Sequence, residues 1–511
     1  MPVDGKVYFV GAGPGDPGLI TVRGLELVKM ADAIVYDKLI PESILSYARP
    51  DAELHYVGKE AGKHTLPQEE INALLCRLAK EGKSVVRLKG GDPFIFGRGG
   101  EEALEVKQAG LKFEVVCGVT SGAAVPVYAG IPVTHRGIAT SLHFITGHED
   151  PTKPEAQVNY DALAKVGGTL VFFMGVDNLA QIASELIKHG KPGDTPCAVI
   201  QRGCTPHQRT VTGTLSEIAR IAEESKIEPP AIICIGDVCK LRNELAWYEN
   251  TPLFGKSVVV TRSRAQASAL SSRLLALGAE VIELPTIEIV PAKLPPDDLA
   301  KLEWLANYDW IIFTSQNVVP PFFDNLSSLG LDARAFAGAK IAAIGGATVD
   351  ALHHRGLNAD LIPQAFTSAG LLEAFKAMNV IERGRKVLLP RADIASRELP
   401  DGLARLGMEV TEVSIYRTIP AEPDIDTLKR ITKGNIDYFT FASSSTAENL
   451  ARLIGAGKFI ELSKKSRFIS IGPVTSATIR KLGARVSWEA ERSDINGLVE
   501  AILDDAGVAK E

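Results

Sequence analysis

The sequence predicts an α/β protein of two folding units, the second made of two similar lobes. Three observations carry this. Short β-branched runs alternate with amphipathic helical stretches along most of the chain, an unpatterned segment at 246–255 interrupts that rhythm, and landmarks recur within the second unit at nearly constant spacing. Alternating strands and helices mark domains with largely parallel sheets. In such sheets ligands collect at the carboxyl ends of the strands.

The chain has 511 residues, 45% hydrophobic and 23% charged, which favours several domains of roughly 100–200 residues each. The formal net charge of -6 speaks against a general nucleic-acid binder. Any anionic ligand must therefore be met by local arginines and lysines. The six cysteines form no CxxC and the nine histidines no HxxxH or HxH, so neither a disulfide framework nor a bound metal is expected. No basic stretch followed by an apolar one opens the chain, and no apolar run approaches the ~18 residues of a membrane span. The expectation is a cytoplasmic protein without membrane contact.

The first unit, residues 1–245, has strand-like runs at 7–10, 84–88 and 170–174. The first run enters Gly11-Ala12-Gly13-Pro14-Gly15-Asp16. A dinucleotide fingerprint would need a third glycine where Asp16 stands, and Pro14 removes an amide that a phosphate cradle would use. A turn bringing backbone against a flat, non-phosphorylated nucleoside fits better. The second run enters Lys89-Gly90-Gly91-Asp92-Pro93-Phe94-Ile95-Phe96-Gly97-Arg98-Gly99-Gly100-Glu101-Glu102, where five glycines in eleven residues permit close backbone approach. Asp92 is placed to accept from a hydroxyl or a cation, with Arg98 and Glu101 beside it at a helix start. Further loops carry Cys117-Gly118-Val119-Thr120-Ser121-Gly122, Gly130 to Arg136, Phe172-Phe173-Met174-Gly175 and Gln201-Arg202-Gly203-Cys204-Thr205.

Residues 246–255 have neither helical nor strand period and are read as a linker. Their aromatic residues Trp247, Tyr248 and Phe254 either dock on one domain or fill a groove. The second unit, 256–511, shows runs at 257–261, 310–314 and 386–389. Val258-Val259-Val260-Thr261-Arg262 matches Val387-Leu388-Leu389-Pro390-Arg391, and Leu277-Gly278-Ala279-Glu280-Val281 matches Leu406-Gly407-Met408-Glu409-Val410, both at an offset of 129. Phe313-Thr314-Ser315 and Ile344-Gly345 match Phe441-Ala442-Ser443 and Ile471-Gly472 at offsets of 128 and 127. Such order implies repeated lobes. Their strand ends carry small hydroxyls and arginines: Arg262, Thr314, Ser315, Arg391 and Ser443. A cleft lined this way suits a large, flexible polyanion held by many weak contacts.

The loop series of the first half resembles the tetrapyrrole methylases that use S-adenosylmethionine, above all uroporphyrinogen-III methyltransferase, over about residues 5–245. That resemblance implies a two-domain methylase fold, a homodimer formed through this half, and S-adenosylhomocysteine as by-product. By it, Pro14, Gly90, Gly91, Asp92, Ile95, Thr120, Ser121, Met174 and Gly203 line the cofactor pocket. Asp37 matches the proton acceptor and Lys59 the proton donor; Lys38 stands where many relatives carry Arg. The methyl arrives already electrophilic, so the chain needs alignment and management of a pyrrole proton rather than a metal or nucleophile. The substrate's eight carboxylates need cations, for which Arg98 and Arg136 are candidates, with Glu101 beside them. Read alone, Lys59 is equally a solvated lysine and Glu101 a helix N-terminal charge.

The second half resembles uroporphyrinogen-III synthase over about residues 256–505, through Phe313-Thr314-Ser315, Leu389-Pro390-Arg391, Val413-Ser414-Ile415-Tyr416-Arg417-Thr418 and Ile471-Gly472-Pro473. The resemblance implies a chain that crosses between lobes twice, with 256–289 and 420–508 in one lobe and 290–419 in the other. It puts Thr475 near the substrate and Tyr416 in the cleft, aiding loss of hydroxyl from hydroxymethylbilane. Tyr416 is as well read as a strand tyrosine packed at a hinge. Together the halves imply closure of hydroxymethylbilane to uroporphyrinogen III with ring D inverted, then two methylations to precorrin-2. Two alternatives stand beside this reading. One is a dinucleotide-dependent oxidoreductase, against which Asp16 argues. The other makes the second half a non-catalytic tetrapyrrole-binding or sensing module.

Overall fold

The computed structural model describes residues 5–58, 66–148, 158–261, 264–378, 384–393, 395–421 and 425–508. Lys59 and Arg262 lie outside them. The chain divides into two compact units near Ser257. Among the described residues no helix is long and apolar enough to cross a membrane, and no group of three or more His, Cys, Asp or Glu could hold a metal ion.

The first unit opens with β1 (Lys6–Gly11), β2 (Ala33–Tyr36), β3 (Glu53–Tyr56), β4 (Ser84–Lys89) and β5 (Lys112–Val116), a parallel sheet in the order β3-β2-β4-β1-β5. Its inner strands β2, β4 and β1 are largely buried because helices cover both faces. Val7, Phe9, Val35 and Val85 pack on Ile71, Leu75 and Leu78 of helix Gln68–Lys80 and on Val106 of helix Gly99–Gln108. Val10, Ile34, Val86 and Leu88 pack on Leu27 and Val28 of helix Val22–Met30.

The second sheet holds β6 (Leu142–Thr146), β7 (Thr169–Phe173), β8 (Pro196–Gln201), β9 (Arg209–Thr214) and β10 (Ala231–Ile235), in the order β6-β7-β10-β8-β9. Here the expectation of a largely parallel sheet fails. Only β6 and β7 pair parallel; β7–β10, β10–β8 and β8–β9 are antiparallel. The connection from β8 to β9 spans only 202–208, too short for a parallel crossover.

Residues 246–255 are not a free linker. Trp247 Nε1 donates to Val127 O at 3.0 Å, and the rings of Trp247 and Tyr248 meet Tyr128 at 5.0 and 4.8 Å. Tyr248 also meets Phe254 at 5.4 Å. Glu249 accepts from Thr210 Oγ1 at 2.6 Å and from Gln208 Nε2 at 2.8 Å, and pairs with Arg242. The segment lacks a regular period because its aromatic residues are spaced to fill a groove of the first unit.

The second unit starts with β11 (Ser257–Val260) and β12 (Glu280–Glu283). The chain then builds a separate sheet from β13 (Ile287–Pro291), β14 (Trp310–Phe313), β15 (Lys340–Ala343), β16 (Lys386–Ala392) and β17 (Glu409–Pro420), in the order β13-β17-β16-β14-β15. It returns with β18 (Tyr438–Phe441), β19 (Arg467–Ser470) and β20 (Trp488–Glu489) to complete β12-β11-β18-β19-β20. The first crossing lies before Ile287, not after residue 289, because Ile287 pairs with Pro420 and Ile289 with Thr418 in the β13–β17 ladder. Pro420 accordingly belongs to the middle lobe as well.

The repeat explains this architecture. By the sequence offsets, β11, β12, β14 and β15 correspond to β16, β17, β18 and β19. Substituting partners turns β12-β11-β18-β19 into β17-β16-β14-β15, the order found in the other sheet. Each lobe therefore combines the front of one copy with the back of the other. The matched Leu-Gly-x-Glu-Val segments are helix ends entering strands, and Gly278 and Gly407 take φ of +85° and +86° there. A side chain in that left-handed region costs about 1 kcal/mol. Gly407→Ala is expected to lower the second unit's unfolding free energy by about that amount, seen as a lower urea midpoint, and leave the first unit's transition in place, measured by equilibrium unfolding.

Candidate active sites

In the first unit, β4, β1 and β5 lie side by side, and the loops leaving their carboxyl ends meet backbone to backbone. Gly91 N donates to Gly13 O at 2.7 Å, Gly13 N to Gly91 O at 3.3 Å, and Ala12 N to Lys89 O at 2.8 Å. A Cβ on Gly118 would lie 2.1 Å from Gly91 O and 2.7 Å from the Cα of Gly11. Only glycine permits this crossing. Asp92 fastens it: Oδ1 accepts from Phe94 N at 2.8 Å and Oδ2 from Gly118 N at 3.0 Å. The carboxylate expected to meet a ligand thus first ties two loops together.

Loops of the second sheet join the same place. Gly15 lies against Thr205 and the carbonyls of Gly203 and Cys204, Gly203 lies beneath Val125, and Gly122 lies beneath Phe173. The Phe173 ring meets Phe96 at 4.9 Å. Phe96, Arg98, Met174, Arg202 and Cys204, all on these loops, hold positive φ. Non-glycine residues in that region carry about 1–3 kcal/mol of strain each and cluster at functional sites. The Thr120 side chain makes no capping bond to helix Ser121–Tyr128, and its Cα stands 4.0 Å from where a Cβ on Gly91 would lie. Pro14 sits between Gly13 and Gly15, and Ile95 packs on the second sheet's core. Leu39, Phe94, Phe96 and Met174 are exposed apolar side chains, the kind of surface that marks a binding site. Of the residues expected to line a cofactor pocket, Gly91, Asp92, Thr120 and Ser121 stand at the crossing and Gly203 lies against Gly15.

The polar candidates are arranged less simply. Asp37 follows β2, accepts from Leu39 N at 3.1 Å and lies 3.5 Å from Arg87 Nη2. Arg98 and Glu101 stand exposed and paired at 2.7 Å. Their hydrogen bond raises the guanidinium and lowers the carboxyl from their ordinary ranges. Arg98 uses Nε and Nη2 for this pair, so Nη1 has no protein partner among the described residues. Arg136 is exposed on the turn bounded by the His135–Ala139 bridge, and no hydrogen bond joins its side chain to the glycine loops among the described residues.

In the second unit, helices start at the carboxyl ends of equivalent strands. Ser315 caps the turn after β14, its Oγ accepting from Asn317 N at 3.2 Å, and Thr314 is half-buried beside it. Ser443 caps helix Ser444–Ile454 after β18, accepting from Thr446 N at 3.4 Å. Next to it, Ser444 Oγ donates to Val474 O at 3.4 Å and accepts from Thr478 Oγ1 at 2.9 Å. Thr475 is buried under the start of helix Pro473–Lys481. Arg391 is also buried: Nη1 donates to Glu412 at 2.7 Å on the neighbouring strand, and Nη2 to the Ser396 carbonyl. Its guanidinium braces the lobe. Tyr416 is buried and hydrogen-bonds with the Ser315 and Asn317 side chains. Burial pushes its phenol up, and those two bonds pull it back. A register shift between Arg391 and Ala392 places Ala392 opposite Tyr416, the kind of irregularity that re-aims a side chain.

Two family models match the chain: tetrapyrrole (corrin/porphyrin) methylases over residues 6–219, and uroporphyrinogen-III synthase HemD over 268–500. A porphyrin biosynthesis protein HemD of Ruminiclostridium josui is 39% identical over 507 residues, covering 98% of both chains. The chain belongs to the tetrapyrrole methylases in its first half and to the uroporphyrinogen-III synthases in its second. It is a bifunctional tetrapyrrole-biosynthesis enzyme. The methylase half is 55% identical to an S-adenosyl-L-methionine-dependent uroporphyrinogen III methyltransferase of Methanosarcina barkeri, over 47% of this chain and 94% of that one. A solved uroporphyrin III C-methyltransferase of Thermus thermophilus is 41% identical over 46% of this chain and all of that one, with a TM-score of 0.41.

Sequence reading missed the charges beneath the methylase loops. Arg87, Lys89 and Glu102 are buried together. Their signal was present: two cations two residues apart in the central strand of a covered sheet share one face. It also missed Asn317 beside Tyr416.

The glycine crossing yields a direct prediction. Gly118→Ala must push the three loops apart. It should weaken cofactor binding by the methylase half by roughly tenfold or more, about 1.4 kcal/mol, while synthase turnover in the same chain is unchanged; calorimetric titration and a coupled assay check this.

Proposed function

We propose that the methylase half binds S-adenosylmethionine across its joined loops and methylates, twice, the uroporphyrinogen III that the synthase half makes from hydroxymethylbilane, giving precorrin-2. The observation that carries this is the crossing of Gly11, Gly91 and Gly118. It joins the ends of three adjacent strands with no side chain between them, next to the backbone of Thr120 and Ser121. A backbone-lined cradle with Pro14 in its first loop suits a nucleoside carrying no phosphate. Pro14, Gly90, Gly91, Asp92, Ile95, Thr120, Ser121, Met174 and Gly203 would hold the cofactor. When bound, it supplies the methyl group as an electrophile.

The chain's own residues do the remainder. Leu39, Phe94 and Phe96 offer apolar surface to the macrocycle, while Arg98 and Arg136 meet its carboxylates. Arg98 keeps Nη1 for that purpose while Glu101 fixes its other edge. Asp37 takes the pyrrole proton; Lys59 returns one. In the synthase half, the helix starts after β14, β15, β18 and β19 turn backbone N–H groups toward carboxylates. Tyr416 aids departure of the hydroxyl, and catalysis rests mostly on positioning. The enzyme acts in the cytoplasm as a homodimer formed through the methylase half, without a metal.

Calorimetry should show S-adenosylmethionine and S-adenosylhomocysteine binding to the full chain and NAD failing to bind; the reverse would overturn the cofactor assignment. Arg98→Ala should raise the KM for uroporphyrinogen III by roughly 10- to 100-fold, as loss of a charged hydrogen bond implies, with cofactor affinity unchanged. Asp37→Asn should lower kcat by about 10²- to 10⁴-fold, the range of a lost general base, with no change in melting temperature.

A further inference from the structure

The charges beneath the second glycine loop form a closed cluster. Arg87 and Lys89 leave the same face of β4. Glu102, on the helix that follows the loop, is fully buried and shared between them. Its Oε1 lies 2.9 Å from Lys89 Nζ and its Oε2 3.3 Å from Arg87 Nε, and Gln68 Nε2 donates to Oε1 at 3.1 Å. The far end of Arg87 reaches Asp37 at 3.5 Å, while Nη1 donates to Val35 O at 3.4 Å and Leu88 O at 3.3 Å. Two cations face one buried carboxylate, so Asp37 is the charge that closes the balance. In a site shielded from water, such a surplus is costly.

We propose that Glu102 and Lys89 are positioning residues that set the net positive charge facing the Asp37 carboxylate. Glu102 neutralises one of the two cations, and Lys89 supplies the positive charge left over, against which the Asp37 carboxylate is held until a substrate proton arrives. In that step a proton leaves the methylated pyrrole, its bonding pair stays in the ring, and a carboxylate oxygen of Asp37 gains the proton. The cluster then carries one surplus positive charge. Lys89 is the cation that already tolerates its charge least, since burial and Arg87 hold its ammonium below the usual lysine range. Among the described residues, Asp37 is faced by Arg87 and Lys89 from β4, and Lys89 by Arg87 and by Glu101 and Glu102 of helix Gly99–Gln108, with Gln68 of helix Gln68–Lys80 bonded to Glu102. This inference rests on Asp37 being the proton acceptor.

The test is the pH dependence of methylation kcat in the full chain. Protonation of the base sets the acid limb. Lys89→Met removes a positive neighbour, so that limb should move up by about one pH unit; Glu102→Gln removes a negative one, so it should move down by a similar amount. Lys89→Arg should keep the wild-type profile, and cofactor affinity should be unchanged in all three. An equal loss at every pH, with the limb unmoved in Lys89→Met, overturns the proposal. Should melting curves show that Glu102→Gln does not fold, the contrast between Lys89→Met and Lys89→Arg decides alone. Asp37→Asn separates the two claims: full turnover in that variant removes the proton-acceptor reading itself, whereas loss of turnover beside an unmoved limb in Lys89→Met removes only the role of the cluster.

Discussion

The methylase half depends on an absence of side chains. Gly11, Gly91 and Gly118 end or follow three adjacent parallel strands, and their backbones approach within the space a single Cβ would occupy. Everything around the site is arranged about that crossing. Asp92 locks it through two backbone N–H groups. The loops of the second sheet close on it through Gly15 and Gly203, and five non-glycine residues accept left-handed backbone to complete its rim. A sheet with both faces covered can carry that strain, because its apolar strands fix where the loops begin.

The synthase half uses a different device. Its lobes are not two copies laid end to end but two composites, each joining the front of one repeat to the back of the other. This exchange brings equivalent helix starts to the strand ends of both lobes. Arg391 is turned inward to Glu412, and Thr475 is buried. Capping hydroxyls of Ser315 and Ser443 stand at the equivalent strand ends. The segment before this half belongs to the methylase fold, anchored by Trp247, Tyr248 and Glu249.

Much of this was legible because it is local. A glycine turn after an apolar run says where backbone approaches a ligand, and Leu-Gly-x-Glu-Val says where a helix ends and a strand begins. What depended on tertiary partners was not legible. Arg391 looks like any strand-end arginine until Glu412, on the next strand, is seen to claim it. Glu102 looks like the helix-capping charge beside Glu101, but the helix rotates it onto the sheet and leaves Glu101 outside. The mixed second sheet was hidden because strand direction is set by connection length, and the β8–β9 loop was read for its glycine and threonine alone. The first lobe crossing was misplaced since nothing local in Ile287-Glu288-Ile289 marks the change of sheet; only its pairing with β17 assigns the lobe.

The central claim is that one chain performs two consecutive steps on one tetrapyrrole. It is tested most directly by giving the full chain hydroxymethylbilane and S-adenosylmethionine without oxygen and identifying the product by mass spectrometry and isomer analysis. The account predicts a type III macrocycle bearing two added methyl groups. A product of type I, formed by unassisted closure, or a type III macrocycle without added methyl groups, would contradict it.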